Sequence, residues 1–236
     1  MATAIQESTE RRPQAVALPR SSVGKKAVMA VSGIVMLLYL IAHMAGNLHA
    51  FGGRAEFNHY SHWLRTIGEP ALPGRGFLVI MEVVLTASVV AHMASAFLLW
   101  RQARRARPVR YQRRRRVRQS YASRTMRWGG VIIALFVVWH LLDLTFGTVN
   151  PAGSAATPYD RLVSSFQNPA ITAFYALALV TLGFHLRHGI WSALATLGFS
   201  NHRRERALQA GATVVAVLLT AGFLLVPAAI LVRVVN

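Results

Sequence analysis

The sequence contains no cysteine. That excludes disulfides, a thiolate zinc site, an iron–sulfur cluster held by this chain and the C-x-x-C-H attachment of a c-type haem. Charge is also scarce. Only 14% of residues are Asp, Glu, Lys or Arg, where a soluble domain carries about 25%. Acidic residues are the rarest, 8 against 26 Lys and Arg. The segment from Met1 to Ser22 is polar and contains proline, with no apolar stretch ahead of the first long run. It reads as a tail or an arm that docks on a partner, not as a cleaved signal peptide.

What the sequence has in abundance is apolar runs. Hydrophobic residues make up 54% of its 236 positions and cluster in stretches long enough to cross a hydrocarbon core of about 30 Å. Five spans are expected, roughly Ala27–Leu48, Phe77–Trp100, Trp128–Phe146, Ala170–Leu197 and Ala207–Val235. The expected fold class is an all-α membrane protein, a five-transmembrane-helix bundle over residues 25–236 behind a cytoplasmic tail, residues 1–24. Pro169 suits a first helical turn, and Pro227 falls late in the fifth span, where it is a candidate kink.

The net charge of +18 would suit nucleic acid if it were spread over a soluble surface. Here the basic residues sit between apolar runs, so nucleic-acid binding is set aside in favour of topology. The segment between spans two and three contains Arg113, Arg114, Arg115 and Arg116, and the next basic loop reads Asn-His-Arg-Arg-Glu-Arg. Lys25 and Lys26 precede span one. The other two loops, Ala50–Gly76 and Gly147–Asn168, are poorer in Lys and Arg. The positive-inside rule then puts the N-terminus and both basic loops in the cytoplasm and the C-terminus outside. The arginine run also fits a docking surface, since anionic lipid and an acidic partner attract the same residues.

Ionisable side chains inside a bilayer are costly and usually functional. Four of the nine histidines are deep, one in each of the first four spans: His43, His92, His140 and His185. The chain runs outward through spans one and three and inward through spans two and four. With a rise of about 1.5 Å per residue, His43 lies roughly 7 Å outward of its span's midpoint. His140 also lies outward, while His92 and His185 lie toward the cytoplasm. The four sort into an outer pair, His43 with His140, and an inner pair, His92 with His185, in layers roughly 10 Å apart by the same rise.

Facing imidazoles without a nearby cysteine or carboxylate suit six-coordinate haem iron. Zinc would want four ligands, and di-iron sites use Glu and Glu-x-x-His. Small residues one turn from the ligands, Gly46, Ser88, Ser95, Gly183 and Gly189, would make room for a porphyrin or simply pack helices. His188, one turn from His185, and His49, near the outer end of span one, are candidates to bond a haem propionate or a quinone, or to sit at the interface. His59, His62 and His202 are expected in loops.

These residues resemble the five-helix, di-haem cytochrome b subunit of succinate:menaquinone oxidoreductases and related fumarate reductases. The likeness is carried by the four deep histidines and by three segments: Ser22-Val23-Gly24-Lys25-Lys26, His43-Met44-Ala45-Gly46-Asn47, and Phe184-His185-Leu186-Arg187-His188-Gly189-Ile190-Trp191. It covers nearly the whole chain, and its Ala, Val and Arg bias looks actinobacterial. The resemblance implies two haems b, axially ligated by His43 with His140 and by His92 with His185. It further implies a flavoprotein subunit that oxidises succinate, an iron–sulfur subunit, a lipid membrane and menaquinone as electron acceptor. In fumarate-reducing relatives a glutamate stands two residues before the fourth ligand. Here that position is Gly183, which favours succinate oxidation.

Quinone chemistry also needs a group that exchanges protons. Glu69, Glu82 and Asp143 are the candidates, each of which would otherwise be a hydrogen-bonded structural partner. Two other readings fit the same pattern: a di-haem subunit of a quinone-linked hydrogenase or formate dehydrogenase, and a haem-free anchor or transporter. No inverted repeat is visible, which disfavours a transporter.

Overall fold

The computed structural model describes residues 21–106 and 121–236, with side chains in the second segment from residue 126 onward. Residues 1–20 of the expected tail and the Arg113–Arg116 run lie outside the described residues, and the last positions of that tail, Ser22 to Gly24, already belong to the first helix. Within them every regular element is helical: α1 (Ser22–Asn47), a 3-10 turn (Leu48–Gly52), α2 (Gly53–Thr66), α3 (Gly76–Arg105), α4 (Tyr121–His140) extended by a π turn (Leu141–Thr145), α5 (Pro158–Phe166), α6 (Pro169–Thr196) and α7 (Glu205–Leu231). Five helices, α1, α3, α4, α6 and α7, are long and apolar enough to span a bilayer. The protein is a multi-pass membrane protein.

Local chemistry sets the helix starts. The Ser21 hydroxyl accepts from Gly24 N at 3.0 Å, so α1 begins at Ser22, five residues ahead of the apolar run. Asn168 caps α6 with Pro169 at its first position, where the missing N–H costs nothing. Pro227 lies inside α7, which continues past it to Leu231.

Two expected loops carry helices. Within 50–76 lies α2, whose apolar Phe57, Tyr60, Trp63 and Leu64 recur at helical spacing among polar residues. Within 147–168 lies α5, opened by Thr157, whose hydroxyl accepts from Asp160 N at 3.3 Å and donates to the Asp160 carboxylate at 2.7 Å. Hydropathy alone does not reveal these segments, because both are short and amphipathic. They pack together over one end of the bundle, called outer after the side that the positive-inside rule assigns to it. Arg54 pairs with Asp160 and lies 5.6 Å from the centre of the Tyr159 ring, and Asn58 Oδ1 accepts from Tyr159 N at 3.2 Å.

Among the spans, α1 packs against α3, α6 and α7, while α6 packs against α1, α4 and α7. The chain of neighbours is therefore α3–α1–α6–α4, with α7 lying over the central pair. The lipid-facing side chains are exposed, as with Leu135 and Leu177 at 68%. The main buried cluster sits at the outer end and joins Ala50, Tyr159, Leu162, Phe166, Tyr175, Val226, Ile230 and Val235. Tyr159 ties it to the C-terminus, donating to the Asn236 carbonyl at 3.0 Å.

Ile230 is fully enclosed in this cluster. Ile230→Ala is expected to cost about 2–5 kcal/mol and to lower the melting temperature of the detergent-purified protein. Leu135→Ala, on the lipid face, is expected to leave it nearly unchanged. Equal losses from the two would show that the outer cluster does not hold the bundle.

Candidate functional site

Side chains from four spans meet in two layers. In the outer layer His43 of α1 and His140 of α4 face each other with ring centroids 5.8 Å apart. Aromatic rings enclose them: Tyr39 stacks on His43 at 5.3 Å, Phe223 of α7 lies 5.8 Å from His43, and Phe136 and Tyr175 lie 5.9 and 6.0 Å from His140. In the inner layer His92 of α3 faces His185 of α6 at 6.2 Å. His92 Nδ1 lies 3.0 Å from the Met29 carbonyl and 3.4 Å from the Ser32 hydroxyl.

Both pairs bridge helices that are not close neighbours. Neither α1 with α4 nor α3 with α6 is a closely packed pair among the described residues. The side chains meet across a gap that the backbones leave open. Glycines keep the inner approach clear. A Cβ at Gly33 would stand 3.4 Å from His92 Cε1, and one at Gly130 would stand 3.9 Å from His185 Cε1.

The same contacts measure the distance between layers. Ten residues separate Gly33 from His43 on α1, Gly130 from His140 on α4, and Tyr175 from His185 on α6. At 1.5 Å per residue that is about 15 Å along each helix. The expectation of roughly 10 Å was too short, because it measured from span midpoints and the helices run beyond their apolar runs.

The residues fit a haem at each layer. Two imidazole nitrogens bound at about 2 Å to opposite sides of one metal put their ring centroids roughly 6 Å apart, as both pairs do. The Met29 carbonyl accepts from His92 Nδ1–H, leaving the other ring nitrogen free to ligate, the usual outer partner of a metal-bound histidine. His140 Nδ1 and His185 Nδ1 are buried with no hydrogen-bond partner in the protein, so each of these rings has an uncommitted nitrogen. Among the described residues no three His, Cys, Asp or Glu side chains converge as a zinc or di-iron site would require.

The remaining candidates are dispersed. Gly46 lies against the Tyr60 ring, where a Cβ would stand 2.7 Å from the hydroxyl. Gly183 packs on Thr220 of α7, Gly189 has open space around it, Ser95 is buried, and Ser88 donates to the Val84 carbonyl. His188 is half-buried beside Trp191 at 5.7 Å. Glu69 is exposed in the turn after α2, preceding Pro70 in a cis peptide. Glu82 pairs at 3.2 Å with Arg75, both well exposed.

Asp143 is fully buried in the turn that follows His140. Its Oδ1 accepts from Ser165 at 2.6 Å and Asn150 at 2.8 Å, and its Oδ2 accepts from Tyr175 at 2.8 Å. A second polar group lies at the outer end. His49 Nδ1 is 2.8 Å from Glu56 and its ring stacks on Tyr60 at 4.3 Å. These three line a cavity of about 280 Å³ together with His59 and Trp63. Sequence reasoning missed Gly33, Gly130, Tyr60, Glu56 and Tyr175. The one regular signal was a glycine ten residues before the histidine in both α1 and α4.

A family model described as succinate dehydrogenase/fumarate reductase transmembrane subunit matches residues 102–225. The chain is also similar to the succinate dehydrogenase cytochrome b558 subunit of Bacillus subtilis (strain 168). The two are 23% identical over 179 residues, spanning 75% of this chain and 81% of the relative. No solved structure matches the chain.

The Asn150 side-chain amide, with two N–H donors, lies within hydrogen-bond distance of Asp143, of Ser165 and of the Arg161 carbonyl. Asn150→Ala strands these buried acceptors and is expected to cost about 1–3 kcal/mol, read as a lower melting temperature in detergent. An unchanged melting curve would show that the network does not fasten the outer loop to the bundle.

Proposed function

The chain belongs to the family of succinate dehydrogenase/fumarate reductase transmembrane subunits, and we propose that it joins succinate oxidation to menaquinone reduction in a bacterial cytoplasmic membrane. Oxidation itself takes place in a flavoprotein partner, with an iron–sulfur partner between that subunit and this one. In this reading His92 and His185 hold an inner b haem, and His43 and His140 hold an outer one. The observation that carries it is the two facing imidazole pairs, 6.2 and 5.8 Å apart, set across gaps between helices that are not closely packed on each other. A haem held by two histidines supplies reversible one-electron transfer.

Each surrounding side chain has a part in that arrangement. The Met29 carbonyl fixes the His92 ring, and Gly33 and Gly130 leave it and His185 room. Tyr39, Phe136, Tyr175 and Phe223 keep water from the outer pair. A haem-free anchor would leave His140 Nδ1 and His185 Nδ1 buried without a hydrogen-bond partner among the described residues, a costly state for a polar group in hydrocarbon.

The inner face is the docking face. Lys25, Lys26, Arg101, Arg104, Arg105, Arg203 and Arg204 lie at or near the ends of α1, α3 and α7 on the side we assign to the cytoplasm. The C-terminus then lies outside. Succinate oxidation is the assigned direction because Gly183 replaces the glutamate of fumarate-reducing relatives.

We place the quinone head at the outer cleft. It lies one turn beyond His43, through the contact of Tyr60 with Gly46, and its His49–Glu56 pair opens to outside water. A carboxylate hydrogen-bonded to an imidazole is suited to pass protons to a reduced quinone. Glu69 and Glu82, on the same exposed outer surface, are further routes to water.

His92→Ala or His185→Ala is expected to remove one of two haem signals in a redox titration of the purified complex, and His43→Ala or His140→Ala the other. A variant that keeps both signals overturns its ligand assignment. Glu56→Gln is expected to leave both haems reducible by succinate while slowing quinone reduction about a hundredfold, the lower end of the range for a lost acid–base group. Unchanged quinone turnover would remove Glu56 from the proton path.

A further inference from the structure

Among the described acidic residues, only Asp143 is both within a span segment and fully buried. Its carboxylate accepts from one amide and two hydroxyls, the arrangement that suits an acceptor-only anion. Among the described residues no Lys, Arg or His pairs with it. Arg161, in the adjoining helix, sends its guanidinium to the Thr145 carbonyl at 2.9 Å instead. The network therefore holds a negative group in a dry place and disperses it over neutral donors without cancelling it.

That group belongs to the outer layer alone. It lies three residues after His140, and its Tyr175 partner packs on the His140 ring at 6.0 Å. The inner pair, about 15 Å away along α6, meets a backbone carbonyl, a hydroxyl and two glycines, and among the described residues no carboxylate. In a low-dielectric interior a fixed charge acts strongly on a neighbour, and its effect falls with distance. A negative charge beside an iron favours the more positive, oxidised state.

Resting on the haem assignment above, we propose that Asp143 is a positioning residue that lowers the redox potential of the outer haem through Tyr175 and acts less on the inner haem. The carboxylate does not touch the ring. It acts through its field and by fixing the Tyr175 ring that packs against His140. Tyr175 moderates the effect by donating its hydroxyl to the charge.

The test is a redox titration of both haems in the purified complex, with each component assigned from the His92→Ala and His140→Ala variants. Asp143→Asn keeps the shape and removes the charge. The outer component is expected to shift upward by a tenfold or greater change in its oxidised-to-reduced balance, about 59 mV for a one-electron couple. Tyr175→Phe keeps the ring against His140 and withdraws one donor from the carboxylate, so the outer component is expected to shift downward. General loosening of the site would move both variants in the same direction, which overturns the proposal, as would no shift or an equal shift of the inner haem. If Asp143→Asn does not assemble, the sign of the Tyr175→Phe shift decides. A wild-type complex without two haems would instead overturn the haem assignment itself, and haem counting separates that result from the others.

Discussion

An imidazole in hydrocarbon has two ring nitrogens to satisfy, and no water to do it. Four such rings in one bundle impose a geometry, because each needs a partner at its own depth. The structure meets this need by pairing them across helices that are not neighbours. The order α3–α1–α6–α4 puts α1 and α6 back to back, and each sends its histidine past the other toward an outlying helix. Had the paired histidines stood on adjacent helices, close backbone packing would have left no slot between them. Small residues at the inner layer and aromatic rings at the outer one then define the two slots differently. The inner slot is bounded by Gly33 and Gly130, and the outer one by Tyr39, Phe136, Tyr175 and Phe223.

The part of this that was legible in the sequence is the part that the bilayer dictates. Apolar runs gave five spans, basic loops gave the assigned direction of each helix, and direction gave each histidine a depth. His43 with His140 and His92 with His185 are the pairs that meet in space. The layer spacing was not legible, because it depends on where each helix starts. Polar residues such as Ser22 and Tyr121 belong to the spanning helices yet carry no apolar signal.

What escaped was the outer cap. Hydropathy does not report α2 and α5, since a short amphipathic helix averages to the polarity of a loop. Its signs were local. Thr157 and Pro158 followed by Asp160 form a helix start, with the hydroxyl accepting from Asp160 N. Phe57, Tyr60 and Trp63 recur at helical spacing. Missing these helices hid Glu56 and Tyr60, and it left Asp143 open between a proton-exchange candidate and a hydrogen-bonded structural partner. In the folded protein that carboxylate is closed in by Asn150, Ser165 and Tyr175, which leaves no open route from it to water.

The two outer carboxylates are thus separated by burial into different kinds of work. Glu56 is half-exposed, paired with His49 and set in a cavity, where a proton gained from a substrate has a path out. Asp143 is sealed, so a proton taken up there would have nowhere to go, and what a sealed carboxylate offers its neighbours is a constant field. The π turn that carries Asp143 directly follows His140, so the same stretch of α4 supplies both the ring and the charge beside it. Tyr175 links them, with its ring on His140 and its hydroxyl on Asp143. The cap formed by α2 and α5 contributes Ser165 to this network and Glu56 to the cavity. A part of the molecule that hydropathy dismissed as connection therefore supplies both the electrostatic setting of the outer pair and the proton exchange that we propose beside it.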